Sequence, residues 1–198
     1  MDAPFTALQL DPHALRVLAH PLRSRLLTAL RMRGPATATS LARQLGTNTG
    51  ATSYHLRKLG SVGLVEETDE GRGRERWWRA STAGHGWKER DIAGDPDAEA
   101  ASDWLKRHYL RHFAERYERW LETAKDEPLD WRDAADSGDA ELRVSPDRLR
   151  EFETELLALI DRYRSTSPAD PDARRVAVYY YTFPVTDADS DGSGEPAE

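Results

Sequence analysis

The sequence contains no cysteine. Disulfides and thiolate metal sites are therefore excluded, and the absence fits a cytosolic setting. No apolar run is long enough to cross a bilayer. The first residues, MDAPFTALQLDPHAL, have neither the basic start nor the continuous apolar segment of a secretion signal. We therefore expect a cytoplasmic, nucleoid-associated protein with no membrane partner. A phosphate-cradling loop is also missing, since GRGRE lacks the lysine and serine that complete such a motif. No credible Ser-His-Asp order stands out. The chain is not expected to be an enzyme or to carry a cofactor. Lysine is scarce, 4 of the 28 basic residues. Arginine dominance suits phosphate and guanine contacts, although a GC-rich genome gives the same bias.

Charge is unevenly spread. The net charge is −7. From His13 to Arg90 there are 14 Lys and Arg against 6 Asp and Glu, a balance of +8, which leaves −15 for the rest. No carboxylate lies between Asp11 and Glu66, whereas eight basic residues do: Arg16, Arg23, Arg25, Arg31, Arg33, Arg43, Arg57 and Lys58. An acidic chain that clears its carboxylates from one module shapes a local field suited to a polyanion.

That module centres on residues 40–80. Leu45-Gly46-Thr47-Asn48 reads as a tight turn, with Gly46 ending one helix in the left-handed conformation and Asn48 capping the next. In the second helix Thr52, Leu56, Leu59 and Val62 recur at helical spacing and face inward. Thr49, Gly50, Ser53, Tyr54 and Arg57 are left outward, with short groups near the N-terminus, as close approach to base edges in a major groove requires. Leu64-Val65 begins a strand, Asp69 to Gly73 turns, and Glu75 to Arg79 returns. The pattern predicts a winged helix-turn-helix. Trp77 and Trp78 must face opposite sides of the returning strand, one in the core and one elsewhere.

Upstream, Asp11-Pro12 starts a first helix and Pro21 a second, which Gly34-Pro35 ends. Thr39 or Ser40 is the expected cap of the third, with Leu41, Ala42 and Leu45 inward. Downstream, residues 85–97 read as a linker, so the chain up to Arg90 is expected to fold alone. A long helix follows from about Ala98 to Lys125. Its stripe of Leu105, Tyr109, Phe113, Tyr117 and Leu121 is wide, which suggests cover from a second subunit. Glu141–Val144 is an expected short strand. A helix from Ser145 to about Arg164 turns Leu149, Phe152, Leu156, Leu159, Ile160 and Tyr163 inward. Arg175 to Val185 is the strongest strand signal, expected to be buried on both faces or paired at an interface. The acidic end beyond Asp187 reads as a disordered tail. The fold class is α+β and mostly helical: a winged helix-turn-helix at 11–84, a linker at 85–97, a helical and β dimerisation or effector half at 98–186, and a tail at 187–198.

The segment from about Leu15 to Ala80 resembles the DNA-binding domain of the arsenical-resistance-repressor (ArsR) family of bacterial winged-helix regulators. LAHPLRSRLL at 18–27, SLARQLG at 40–46, TSYHLRKL at 52–59, GLVE at 63–66 and GRGRERWW at 71–78 carry the resemblance. It implies a dimeric transcriptional regulator of double-stranded DNA, commonly a repressor released by a small-molecule effector. It also implies base contacts from Thr49, Gly50, Ser53 and Tyr54. His55 stands where the family often has histidine. Backbone contacts are assigned to Arg43, His55, Arg57, Lys58, Arg72, Arg74 and Arg76. The family's founding metal sensors bind metal through cysteines on the third helix, and that site is absent here. His108, His112 and Glu115 share one helical face, as metal ligands or a pH-responsive interface would, but a histidine pair is a weak metal signal and no metal is expected, since amphipathic packing beside Trp104 and Trp120 at an interface also places them. The competing functional class is a winged-helix protein-interaction module without sequence-specific DNA binding, which the carboxylates Glu66, Glu67, Asp69 and Glu70 of the wing would favour.

Overall fold

A computed structural model describes residues 7–68, 75–165 and 172–185. The chain divides into two units, Met1–Ser167 and Pro168–Glu198. The expected wing tip, with Arg72, Arg74, Asp69 and Glu70, lies outside the described residues, as does the acidic tail.

In the first unit, residue chemistry at the helix ends explains most boundaries. Helix α1 (Pro12–Leu18) is capped by Asp11, whose carboxylate accepts from the Ala14 N–H at 2.7 Å. Helix α2 (Pro21–Arg33) is capped by His20, whose Nδ1 accepts from the Leu22 N–H at 3.1 Å. Gly34, at φ 84°, ends it. Helix α3 (Ala38–Leu45) begins earlier than expected. Thr37, not Thr39 or Ser40, is its cap, and the Thr37 and Ser40 side chains each accept from the other residue's backbone N–H. Gly46 is left-handed (φ 65°, ψ 41°), and Asn48 caps helix α4 (Thr49–Gly60) through the Ala51 N–H at 2.8 Å.

Two small sheets complete the unit. Strand β1 (Ala7–Gln9) pairs in parallel with β5 (Gly84–Gly86). Strands β2 (Ala36–Thr37), β3 (Val65–Thr68) and β4 (Trp77–Ala80) form an antiparallel sheet in the order β2-β4-β3. In β4 the side chains alternate as expected. Trp78 is buried, and Trp77 is half-buried in register with Thr37 and Thr68.

The core gathers Leu15, Leu18, Leu26, Leu27 and Leu30 from α1 and α2. Leu41, Leu56, Leu59, Leu64 and Trp78 join from the helix-turn-helix and wing. It does not stop there. The stretch read as a linker carries β5 and helix α5 (Glu89–Ile92), and Ile92 is buried. Helix α6 (Pro96–Thr123) then sends Ala98, Ala101 and Leu105 into the same core, its N-terminus packed on α1. Arg16 of α1 pairs with Asp95, whose carboxylate also caps α6 at the Ala98 N–H. Leu105 is 0% exposed within one chain, which rules it out as a dimer contact. Its truncation to alanine is expected to cost about 2–5 kcal/mol in urea unfolding. A loss below 1 kcal/mol would contradict its place in the core.

Beyond α6, helices α7 (Leu129–Ala134) and α8 (Pro146–Ser165) have no buried residue among those described. Phe152, Leu159 and Tyr163 were expected inward on α8, yet they are exposed. Residues 141–144 form no strand, and Leu142 and Val144 are exposed. In the second unit, residues 175–185 likewise form no strand and are exposed. β-rich composition describes what a segment does against a neighbouring sheet, and composition alone supplies no sheet.

Candidate nucleic-acid interface

The surface expected to meet DNA is the outer side of α4. Its cap and the inward anchors Thr52, Leu56 and Leu59 fix the helix rotation. Thr49, Ser53 and Arg57, four residues apart, therefore form one row. That row lines an open hollow of about 330 Å³, together with Thr37 to Thr39 at the start of α3 and with Glu75, Arg76 and Trp78. Gly50 is exposed beside the row. A side chain there would meet the capping oxygen of Asn48 at 3.4 Å.

Tyr54 is 50% exposed, with Lys58 Nζ 5.9 Å from its ring centroid. His55 lies edge-on to Tyr54 at 5.2 Å and turns toward His20, their rings 4.5 Å apart. Its Nδ1 is buried without a hydrogen-bond partner. Burial, then the Arg23 guanidinium, holds its pKa below the ordinary histidine value. His55 does not share the row of Thr49, Ser53 and Arg57.

The eight cations of the carboxylate-free stretch divide evenly between structure and surface. Arg16 pairs with Asp95, and Arg23 bonds the Val17 carbonyl oxygen. Arg25 bonds the Leu45 carbonyl oxygen at 3.0 Å, and Arg31 bonds that of Thr82 at 3.0 Å. Arg33, Arg43, Arg57 and Lys58 are exposed, and their side chains make no hydrogen bond or ion pair among the described residues. In the wing stem, Glu67 pairs with Arg76 at 3.0 Å and Glu66 with Arg79 at 2.8 Å. Two of the four carboxylates that weighed against DNA are thereby paired, Asp69 and Glu70 lie outside the described residues, and Arg76 is engaged within the chain.

Sequence reading missed a half-buried polar relay that links α2, β5 and α6. Arg31 Nη1 lies 2.6 Å from His85 Nδ1, and His85 Nε2 lies 2.8 Å from the Tyr109 hydroxyl. A guanidinium only donates. Nδ1 must therefore accept, and Nε2–H donates to Tyr109. Burial, then the charge of Arg31, pushes the His85 pKa down to about 3. Burial lowers Arg31 to about 10. Tyr109, the second residue of the expected dimer stripe, is thus tied within its own chain. Phe113 and Tyr117 stack on one another at 5.9 Å, and Leu121 is 57% exposed. His108 stacks on Trp104 at 4.8 Å, and the described residues contain no group of three side chains able to hold a metal ion. No helix among them is long and apolar enough to cross a membrane.

Residues 18–68 match a family model described as a helix-turn-helix domain. With the β3–β4 hairpin that follows α4, this segment is a winged helix-turn-helix, which supports a DNA-binding transcriptional regulator. No curated protein matches the sequence. Solved structures similar to it include three transcriptional regulators or their domains. The homodimeric winged helix-turn-helix DNA-binding domain of a possible ArsR-family regulator from Mycobacterium bovis is 23% identical, covering 50% of this chain and 76% of that one with a TM-score of 0.33. A protein described as a possible transcriptional regulator for arsenical resistance is 29% identical, covering 52% and 95% with a TM-score of 0.31. The adhesin competence repressor of Streptococcus pyogenes is 14% identical, covering 73% and 81% with a TM-score of 0.32.

Proposed function

We propose that this helix-turn-helix protein is a dimeric repressor that reads double-stranded DNA with α4 and is released by a small effector. The observation that carries the reading is the outer row of α4. Thr49 and Ser53 line the hollow and Tyr54 is exposed, with the Lys58 ammonium 5.9 Å from its ring centroid and Arg43 exposed on α3. Short hydroxyls at the start of a recognition helix allow its backbone close to base edges, while flanking cations hold phosphate. The absence of cysteine means that any effector acts without thiolate ligands.

A single winged helix buries little surface on DNA, and two related by a two-fold axis read half-sites about 34–36 Å apart. Phe113, Tyr117 and Leu121 on the distal half of α6 are the proposed dimer contacts. Leu110, exposed on the same helix, extends that surface. An effector bound to this half would change the separation of the two recognition helices without covering them.

Ser53→Ala and Tyr54→Ala should each weaken binding to the specific site by about 1–3 kcal/mol and leave random duplex nearly unaffected. Fluorescence anisotropy on both duplexes reads the difference. An equal loss on the two would remove the base-reading role. Analytical ultracentrifugation tests the dimer, and a monomer at micromolar concentration would overturn it.

A further inference from the structure

The hollow beside α4 is lined by a cation and an anion whose side chains have no partner among the described residues. Arg57 and Glu75 both line it, both are exposed, and neither side chain makes a hydrogen bond or ion pair among the described residues. The wing stem next to it behaves differently, since Glu66 and Glu67 are each matched to an arginine. A lone Arg57 would suit a backbone phosphate. Glu75 in the same hollow makes phosphate a poor occupant, because one charge is attracted while the other is repelled.

A neutral edge with both acceptors and a donor suits the pair better. Arginine has donors only, and a carboxylate has acceptors only. In the major groove a G·C pair presents guanine N7 and O6 as adjacent acceptors, and the cytosine N4 amino group as a donor. We propose that Arg57 and Glu75 read one G·C pair together, Arg57 donating to guanine N7 and O6 and Glu75 accepting from cytosine N4. This assigns Arg57 to a base, not to the backbone, and it rests on the DNA-binding reading above. Glu75 is then a device of discrimination, lowering affinity for all DNA and penalising an unmatched edge most.

The test selects binding sites for the full chain from a random duplex library. Wild type, Arg57→Gln and Glu75→Gln are then compared on the selected duplex, its single-position variants and random duplex. Both residues are exposed, and circular dichroism checks that the variants fold. The selected sites should share a G·C pair whose replacement weakens wild-type binding about tenfold or more. Arg57→Gln should abolish that preference at that position alone. Glu75→Gln should shrink it severalfold while tightening binding to random duplex. If Glu75→Gln shifts every duplex by the same factor, or the two variants affect no position in common, the pairing is wrong although DNA reading stands. If wild type selects no sequence at all, DNA reading itself falls and this assignment with it.

Discussion

A chain cut after Arg90 is expected not to fold, whereas one cut after Thr123 should keep the N-terminal core. The linker reading gave the opposite result for the shorter piece. The difference lies in where the core is completed. Ile92 and Leu105 are 1% and 0% exposed, and Ala98 and Ala101 fill the space against α1. Burying two large aliphatic side chains contributes about 3–6 kcal/mol, a large part of the roughly 5–15 kcal/mol that a domain has to spare. The cut also removes Asp95 from Arg16 and Tyr109 from His85. Far-ultraviolet circular dichroism during urea titration reads the outcome. A cooperative transition for residues 1–90 near that of the full chain would show that α6 is dispensable to the core.

Acid should unfold this protein early, with His85 a main cause. The folded state holds His85 neutral, with a pKa of about 3 against 6.5 when free. The unfolded chain therefore takes up the proton first. Stability from this group is complete above about pH 6.5 and is lost as pH falls from there toward 3, at up to about 1.4 kcal/mol per pH unit. His20, His55, His108 and His112 are shifted the same way by burial and add to the slope. The variant His85→Gln isolates the contribution, since its stability should fall less steeply between pH 6.5 and 4 than that of wild type. Tyr109→Phe removes the acceptor of the Nε2–H donor and should cost about 1–3 kcal/mol at neutral pH. Parallel stability-against-pH curves for wild type and His85→Gln would contradict the relay.

Local chemistry was readable where it is settled within a few residues. Asp11, Gly34, Gly46 and Asn48 end or begin helices as expected, because caps and left-handed glycines need no distant partner. The inward face of α4 was readable from its period. The cap of α3 was misplaced because three hydroxyl residues occur within four positions, and only the strand β2 decides that Thr37 is the one. His85 lay in a polar, glycine-containing stretch whose burial depends on α6 coming back over it. Tyr109 was assigned to a dimer for the same reason: periodicity reveals a buried face but not which chain buries it. The basic tally was correct as a sum, yet half of those cations serve carbonyl oxygens or Asp95. Glu75 was passed over because it lies in a segment read as a return strand, and it lines the same hollow as Arg57 because β4 pairs back on β3.

The central claim is that α4 gives this chain sequence-specific recognition of DNA. The most direct measurement is recovery of fragments bound by the full-length protein from the DNA of its source organism, followed by binding of a recovered fragment over a range of salt. The expected result is one shared motif of two related half-sites, bound much more tightly than random duplex, with affinity falling steeply as salt rises. Recovered fragments with no shared motif, and a salt-independent affinity equal to that of random duplex, would contradict it.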